Sequence, residues 1–135
     1  MNNINIDEIN KMFSEQKGFI SNNNIKVEEV KENYAKLSST IEEKSLNPYG
    51  IVHGGLLFGL ADTAMGIAAK TTGKSAVTIN SQIDYLKPGK GSKIIAIAEA
   101  LKVGKTISVY KCNIYDEKEE LISSVTGTFY FIQNQ

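Results

Sequence analysis

The chain has 135 residues, the length of one ordinary domain with its own core, and this predicts a single domain over residues 1–135. Fifteen Lys and Arg residues balance fifteen Asp and Glu residues, so the net charge favours neither nucleic acid nor an anionic membrane as a partner. Because there is no signal-peptide pattern and the single cysteine, Cys112, has no disulfide partner, we expect a cytoplasmic protein.

The first forty residues predict one helix and then strand. Ile6, Ile9 and Phe13 recur at the spacing of one helix face, which predicts a short amphipathic helix in the first fifteen residues. Residues 25–40 alternate imperfectly between apolar and polar side chains. We interpret this segment as one or two strands with a break near residues 31–33.

A turn and a long apolar helix follow. Pro48 and Gly50 in the sequence Asn-Pro-Tyr-Gly predict a turn. From about Gly54 to Lys70 the sequence is rich in Leu, Ala and Met and apolar on nearly every face, which predicts a buried central helix. We do not expect the apolar window from Gly50 to Ala69 to span a membrane, because it contains His53 and an aspartate, Asp62, that would cost about 3 kcal/mol near its middle.

Four runs of alternating apolar and polar residues follow, and they predict antiparallel strands joined as a meander. The runs are Ser75 to Leu86, Lys93 to Val103, Thr106 to Asp116 and Leu121 to Ile132. The connectors between them are short and polar, as hairpins require. The expected fold class is therefore α+β, with one long antiparallel sheet wrapped around one buried helix. Cys112 is expected to be a small buried residue of the third run.

His53, Gly54 and Gly55 form a flexible corner immediately before the predicted central helix. Backbone N–H groups at a helix start have no intrahelical partners. Together with the positive end of the helix dipole, such donors suit a carbonyl oxygen that gains negative charge during a reaction. The alternative is that the glycines only turn the chain.

Asp62 favours the chemical interpretation, since an unpaired carboxylate in an apolar helix loses several kcal/mol of solvation unless it is partnered or functional. A hydrogen-bonded structural carboxylate is the alternative. The helix face that carries Asp62 also carries three glycines, Gly55, Gly59 and Gly66. An interior glycine costs a helix about 0.8 to 1 kcal/mol relative to alanine. Either tight packing or a ligand groove must offset that loss.

The separation of His53 and Asp62 indicates a site shared by two chains. Nine residues of helix rise about 13.5 Å, a length that one reacting group cannot span. If the glycine N–H groups and the carboxylate act on one substrate, they must come from two chains related by a two-fold axis. A dimer would then contain two equivalent sites.

The pattern Asn-x-x-Gly-x-x-His-Gly-Gly, with an aspartate nine residues after the histidine, closely resembles hotdog-fold acyl-CoA thioesterases of the phenylacetyl-CoA thioesterase type. In this chain the pattern runs from Asn47 to Asp62. The strand that ends Ile83 to Gly89 with a basic residue and Pro-Gly is also similar. The resemblance covers roughly Ile25 to Ile132 and implies the hotdog fold, an antiparallel sheet wrapped around a central helix.

The resemblance also implies an activity. It is the hydrolysis of an acyl-CoA, with an aromatic or short-to-medium acyl group, to the free acid and coenzyme A. Coenzyme A is then part of the substrate, and no cofactor is needed. Asp62 of one subunit would act as nucleophile or as the base that activates water. The N–H of Gly54 would polarise the thioester carbonyl, while Asn47 and His53 would position the thioester or the attacking water.

Binding and assembly follow from the same resemblance, which implies a homodimer, often paired into a tetramer, with sites at the subunit interface. Gly55 belongs to the implied substrate-binding corner. Lys87 and Lys90 are candidates for the coenzyme A phosphates, and a solvated lysine-rich turn is the alternative. Four residues are candidates to line an acyl tunnel, with ordinary core positions as the alternative: Tyr49, Phe58, Met65 and Tyr85.

Other chemistry is disfavoured. One histidine and no Cys-x-x-Cys pair predict no metal site, and no Gly-x-Ser-x-Gly elbow of a serine hydrolase occurs. Two alternative functions stay open. One is a hydratase or dehydratase of the same fold, which uses a histidine in a proline-bearing loop. The other is a non-catalytic acyl-CoA-binding protein, a type generally attached to a DNA-binding domain.

Overall fold

The computed structural model describes residues 5–132, which form one antiparallel sheet around a long helix. The helices are α1 (Ile6–Glu15), α2 (Phe19–Asn22) and α3 (Gly54–Lys70), and Glu43–Ser45 form one 3-10 turn. The strands are β1 (Ile25–Lys31), β2 (Tyr34–Thr40), β3 (Ala76–Tyr85), β4 (Lys93–Lys102), β5 (Ile107–Asp116) and β6 (Leu121–Phe131). The predicted α+β fold class, a sheet wrapped around a central helix, is confirmed.

The predicted amino-terminal helix is α1. Its start is capped by Asn5, whose side chain accepts a hydrogen bond of 3.1 Å from the Glu8 N–H. Phe13 is buried in the core. The Asn10 side chain pairs with both the N–H and the C=O of Val27, at 2.8 and 2.9 Å, where a bulge interrupts β1. Helix α1 therefore covers part of an edge strand.

The predicted break between residues 31 and 33 is a tight turn between β1 and β2. Asn33 has a positive φ of 55°, a conformation that asparagine tolerates better than most residues. Its N–H donates to the Thr71 hydroxyl at 2.7 Å, which ties this turn to the end of α3. The segment is thus two strands.

The predicted meander of four strands is wrong in one connection. Strands β4, β5 and β6 are consecutive antiparallel neighbours, but β3 pairs with β6 and not with β4. The free edge of β4 is taken by β2, so the order across the sheet is β1-β2-β4-β5-β6-β3. Alternation of apolar residues specifies which face of a strand is buried, and it does not specify the neighbouring strand.

The connector between β3 and β4 is consequently a crossing segment and not a hairpin. The N–H groups of Leu86 and Lys87 both donate to the Ile122 carbonyl, at 2.9 and 3.1 Å. The Gly89 carbonyl then accepts from the Val52 N–H at 2.9 Å. These bonds fix the connector beside the chain that leads into α3, and so position it next to the His-Gly-Gly corner.

Helix α3 packs its apolar side on the sheet. Eight of its residues are buried: Leu56, Leu57, Leu60, Ala61, Ala64, Met65, Ala68 and Ala69. Gly127 of β6 lies beneath Met65, and a Cβ at that glycine would come within 2.9 Å of the methionine methyl group. The Asp62 side of α3 is only partly covered. Within residues 5–132 no helix is long and apolar enough to cross a membrane.

Candidate active site

The His-Gly-Gly corner caps the start of α3. His53 is the N-cap residue, and its Nδ1 accepts a hydrogen bond of 2.8 Å from the Gly55 N–H. The N–H of His53 donates to the Ser45 carbonyl at 2.9 Å. No acceptor within residues 5–132 is bonded to the N–H of Gly54. Gly54 therefore presents a free donor at the helix start, whereas the N–H of Gly55 is already engaged.

The same hydrogen bond determines the role open to His53. A ring nitrogen that accepts a hydrogen bond carries no proton, so the proton of the neutral imidazole lies on Nε2. The His53 side chain is exposed, and Nε2 is directed away from the capping contact. His53 can thus donate one hydrogen bond to a bound molecule while it caps the helix.

Asn47 organises the turn that precedes this corner. Its Oδ1 accepts from the N–H groups of Tyr49 and Ile51 at 2.9 and 3.3 Å. Gly50 completes the turn with a φ of 77°. Because the oxygen is bonded to the backbone, the Nδ2 group is the part of Asn47 that remains for a ligand, and it can only donate.

A pocket of about 590 Å³ lies between this corner and the β3–β4 connector. It is lined by five of the predicted site residues: Asn47, His53, Gly54, Gly55 and Lys87. Its volume falls in the range of small-molecule sites. The structure thus brings most of the predicted corner together, but neither Asp62 nor Lys90 lines this pocket.

Tyr85, the last residue of β3, forms one wall of the pocket. Its hydroxyl donates to the Gly54 carbonyl at 3.0 Å, and its ring lies 3.1 Å from the position of a Cβ at Gly54. Among the tunnel candidates, Tyr85 is the one that lines this pocket, since Met65 is in the core and Tyr49 is 88% exposed. The hydrogen bond to Gly54 has no sequence signal, because 31 residues separate the two partners.

Asp62 is partnered by a residue that the sequence did not indicate. The Thr78 hydroxyl on β3 donates to Asp62 Oδ1 at 2.6 Å. A bulge between Thr78 and Asn80 interrupts the β3–β6 pairing at this point, and such bulges commonly redirect side chains near active sites. Within residues 5–132 no donor is bonded to Oδ2 of Asp62, so one carboxylate oxygen is held and the other is open.

The two parts of the predicted site lie at opposite ends of β3. Asp62 contacts Thr78 near the start of the strand, and Gly54 contacts Tyr85 at its end. Helix α3 is uninterrupted from Gly54–Lys70, so eight residues put Gly54 and Asp62 roughly 12 Å apart along its axis. One chain does not bring the free N–H and the carboxylate to the same place.

The predicted lysines are both exposed on the β3–β4 connector. Lys87 forms an ion pair with Glu120. Lys87 and Lys90 also line a separate depression together with three acidic residues, Asp116, Glu117 and Glu120. In the single chain the lysines therefore lie beside carboxylates, and a phosphate would have to compete with those acidic groups.

The glycines of the Asp62 face have different surroundings. The space beside Gly59 is filled by the Phe19 side chain of α2, which packs against the helix there. A Cβ at Gly66 would meet only the Phe129 ring, at an ordinary distance of 4.0 Å. Tight packing therefore accounts for Gly59, but nothing within residues 5–132 requires a glycine at position 66.

Cys112 lies in the core, as expected, and burial raises the pKa of its thiol far above the ordinary value. It is not an available nucleophile. Within residues 5–132 no three His, Cys, Asp or Glu side chains lie close enough together to hold a metal ion.

Comparison with known proteins assigns the family. Residues 49–123 match the family model described as Thioesterase superfamily. The chain is also 34% identical to a putative esterase of Archaeoglobus fulgidus over 103 residues, and these residues are 76% of this chain and 67% of the relative. The chain belongs to the thioesterase superfamily. This membership makes it a thioester hydrolase and confirms the resemblance seen in the Asn47 to Asp62 pattern.

Two further proteins share both sequence and fold with this thioesterase. The acyl-coenzyme A thioesterase PaaI of Escherichia coli is 34% identical over 97 residues, which cover 71% of this chain and 69% of PaaI. Its structure superposes with a TM-score of 0.81 at 30% identity over 84% of this chain and 83% of PaaI. A Streptococcus mutans protein bound to acetyl CoA gives a TM-score of 0.80 at 27% identity, over 90% of this chain and 96% of that protein.

Proposed function

We propose that the chain hydrolyses acyl-CoA thioesters at two equivalent sites, each shared by both subunits of a homodimer. The substrate class is supported by relatives, one named an acyl-CoA thioesterase and another crystallised with acetyl CoA. The observation that carries the proposal is the separation of the free Gly54 N–H from the Asp62 carboxylate along one helix, roughly 12 Å.

The outer edge of β3 supports the homodimer. It is an edge strand of ten residues, and three of its apolar side chains are largely exposed: Val77 at 46%, Ile79 at 54% and Tyr85 at 55%. Long apolar edge strands are usually covered, because their unpaired N–H and C=O groups recruit another strand. A second copy of β3, paired antiparallel across a two-fold axis, covers both edges with the same contact.

That two-fold pairing completes the site. In an antiparallel pair related by a two-fold axis, a residue before the axis lies opposite a residue the same number of positions after it. An axis near Ser81 in the middle of β3 therefore places Thr78 of one copy near Tyr85 of the other. Thr78 is hydrogen-bonded to Asp62, and Tyr85 is hydrogen-bonded to Gly54. In this pairing the carboxylate of one subunit therefore approaches the free N–H of its partner.

In the proposed reaction, the Gly54 N–H donates to the thioester carbonyl oxygen, where it stabilises the negative charge of the tetrahedral intermediate. Asn47 Nδ2 and His53 Nε2 supply two further donors that orient the thioester or the attacking water. The Thr78 hydroxyl holds Oδ1 of Asp62, which leaves Oδ2 to react.

Two chemical roles are open to Oδ2 of Asp62. As a nucleophile, it attacks the carbonyl carbon, the C–S bond breaks and the thiolate leaves; water then hydrolyses the resulting anhydride, and the proton released goes to the thiolate. As a base, it takes a proton from water, the water oxygen attacks the carbonyl carbon, and the departing thiolate receives the proton. In both cases the products are the free acid and coenzyme A.

The coenzyme A arm is proposed to leave the first pocket past Lys87 and Lys90. Both lysines are exposed on the connector that borders this pocket. Lys87 must exchange Glu120 for a phosphate on binding, so its contribution depends on salt concentration. A cytoplasmic location is part of the proposal and is supported by the single, buried cysteine.

The proposed function is tested by thiol release from a panel of phenylacetyl, benzoyl, short-chain and long-chain acyl-CoAs. We expect turnover with at least one acyl class and loss of turnover in Asp62→Asn. If all thioesters are inert while coenzyme A binds, the chain is an acyl-CoA-binding protein. If enoyl-CoA is instead hydrated, the chain is a hydratase. Light scattering on the same preparation distinguishes a monomer from a dimer and from the tetramer that the family resemblance implies.

A further inference from the structure

The aromatic ring of Phe19, on the short helix α2, lies directly on Gly59 of α3. A Cβ at Gly59 would be 2.3 Å from Phe19 Cζ and 2.6 Å from Cε1, so the ring fills the space of any larger side chain there. Gly59 is three residues before Asp62, on the same helix face. The ring is thus held over the part of α3 that lies between Gly54 and Asp62.

A second pocket, of about 270 Å³, opens beside this ring. Phe19 and Leu56 form apolar parts of its wall, and His53 and Gly55 form another part. His53 and Gly55 also line the first pocket. The two pockets therefore adjoin at His53 and Gly55 at the start of α3, and Gly54, with the free N–H, lines the first of them.

A thioester has two arms, and the two pockets provide one space for each. The first pocket borders the connector that carries Lys87, which is the side proposed for coenzyme A. The second pocket then faces the acyl arm. We propose that Phe19 is the wall of the acyl pocket and sets the length of acyl group that the enzyme accepts, an inference that rests on the proposed function.

Phe19 is only partly covered by the rest of the chain, which leaves part of the residue free for a contact with substrate. Phe13 on α1 is a core residue and is 5% exposed, whereas Phe19 as a residue remains 48% exposed although its ring is packed on Gly59. Phe19 also lies outside residues 49–123, which match the family model. Acyl selectivity would then be determined by a segment that the common family pattern does not include.

The test compares wild type with Phe19→Ala, Phe19→Leu and a control, Met12→Ala. Met12 has the same 48% exposure and lies on α1, outside both pockets. Binding of butyl, octyl and dodecyl thioethers of coenzyme A is measured by calorimetry, after circular dichroism has established folding. We expect Phe19→Ala to raise the ratio of dodecyl to butyl affinity by at least about tenfold, the lower end for pocket discrimination. Phe19→Leu should give a smaller rise and Met12→Ala no change.

An unchanged ratio in Phe19→Ala, including a loss of affinity by the same factor for every thioether, would overturn the proposal. Failure of the wild type to bind any thioether would overturn it as well. Thiol release from the matching thioesters is measured in parallel. Wild type that binds thioethers but releases no thiol would refute hydrolysis alone, and the affinity ratio would still decide the role of Phe19.

Discussion

The Thr78 hydroxyl donates a hydrogen bond of 2.6 Å to Oδ1 of Asp62, and this contact anchors the carboxylate at one end of β3. The other end of the strand carries Tyr85, which is bonded to Gly54. Strand β3 therefore connects the carboxylate that we propose reacts to the N–H that we propose binds the thioester carbonyl, and these two groups do not meet within one chain. This separation is the basis of the proposed site shared by two subunits.

Substitution of the carboxylate tests the chemistry. Asp62→Asn keeps the size of the side chain and its contact with Thr78, so the fold should persist. Turnover should fall at least about a hundredfold, the lower end for a positioned acid–base group. The measurement is kcat for the best acyl-CoA, with Asp7→Asn, an exposed carboxylate on α1, as the control.

The neighbouring donors provide a comparison for that result. Asn47→Ala and His53→Ala should reduce turnover less than Asp62→Asn, because in the proposed reaction Asn47 and His53 orient groups and do not react. Near-normal turnover in Asp62→Asn would refute the assignment of Asp62. A loss in Asn47→Ala or His53→Ala as large as that in Asp62→Asn would refute the division of roles.

Removal of the Thr78 hydroxyl tests its positioning role. Thr78→Val preserves the shape of the side chain and frees Oδ1 of Asp62. Because a hydrogen bond to a charged group contributes about 1.5 to 3 kcal/mol, kcat should fall roughly tenfold or more, with KM little changed. Thr78→Ser should restore kcat. Equal kcat values for Thr78→Val and Thr78→Ser would contradict the role.

The contact between Gly59 and Phe19 is tested by a double-mutant cycle in stability. Gly59→Ala alone should destabilise, since the new methyl group displaces the Phe19 ring. In the Phe19→Ala background the same change should stabilise by up to about 1 kcal/mol, because alanine favours a helix over glycine. Urea unfolding measures both steps. If Gly59→Ala changes the free energy of unfolding in the same direction in both backgrounds, the ring does not rest on Gly59.

Glu117 predicts a pH dependence of stability. Its carboxylate accepts from the Ser92 N–H and hydroxyl at 2.8 and 2.7 Å, and these bonds lower the pKa of Glu117. The stabilisation should be present above the unfolded pKa of about 4.3 and should be lost as pH falls through the lower folded value. Glu117→Gln should therefore lower the urea midpoint at neutral pH but not in acid. A difference in urea midpoint between wild type and Glu117→Gln that is the same at every pH would contradict this account.

Periodicity predicted the helices and strands well, because α3 and the four long strands have strong patterns over ten or more residues. It failed for the neighbour of β3, since pairing with β6 depends on the whole sheet. Asp62 and Gly54 are candidates for another reason, because a carboxylate in an apolar helix and a glycine corner at a helix start are both local features of the sequence. Thr78 and Phe19 have no signal in the sequence, and Tyr85 is indicated there only as a tunnel candidate, because the contact of each residue with α3 spans 16 or more residues.

The shared site has a matched pair of glycine variants for its test. Gly54→Pro removes the free N–H at a helix position that tolerates proline. Gly54→Ala keeps the N–H and adds the same Cβ, 3.1 Å from the Tyr85 ring. Gly54→Pro should be inactive and Gly54→Ala largely active. Similar losses in both would show that crowding against Tyr85, and not the missing donor, disables the site.

The central claim is tested most directly by mixing two inactive variants, Asp62→Asn and Gly54→Pro, after each is established as folded and able to exchange subunits. In the mixed dimer one interface site contains both substitutions and the other contains neither. Activity should return, up to about one quarter of the wild-type value per total protein if two equivalent sites reassort statistically. No recovery in verified mixed dimers would contradict the account, because Asp62 and Gly54 would then serve one site from one chain.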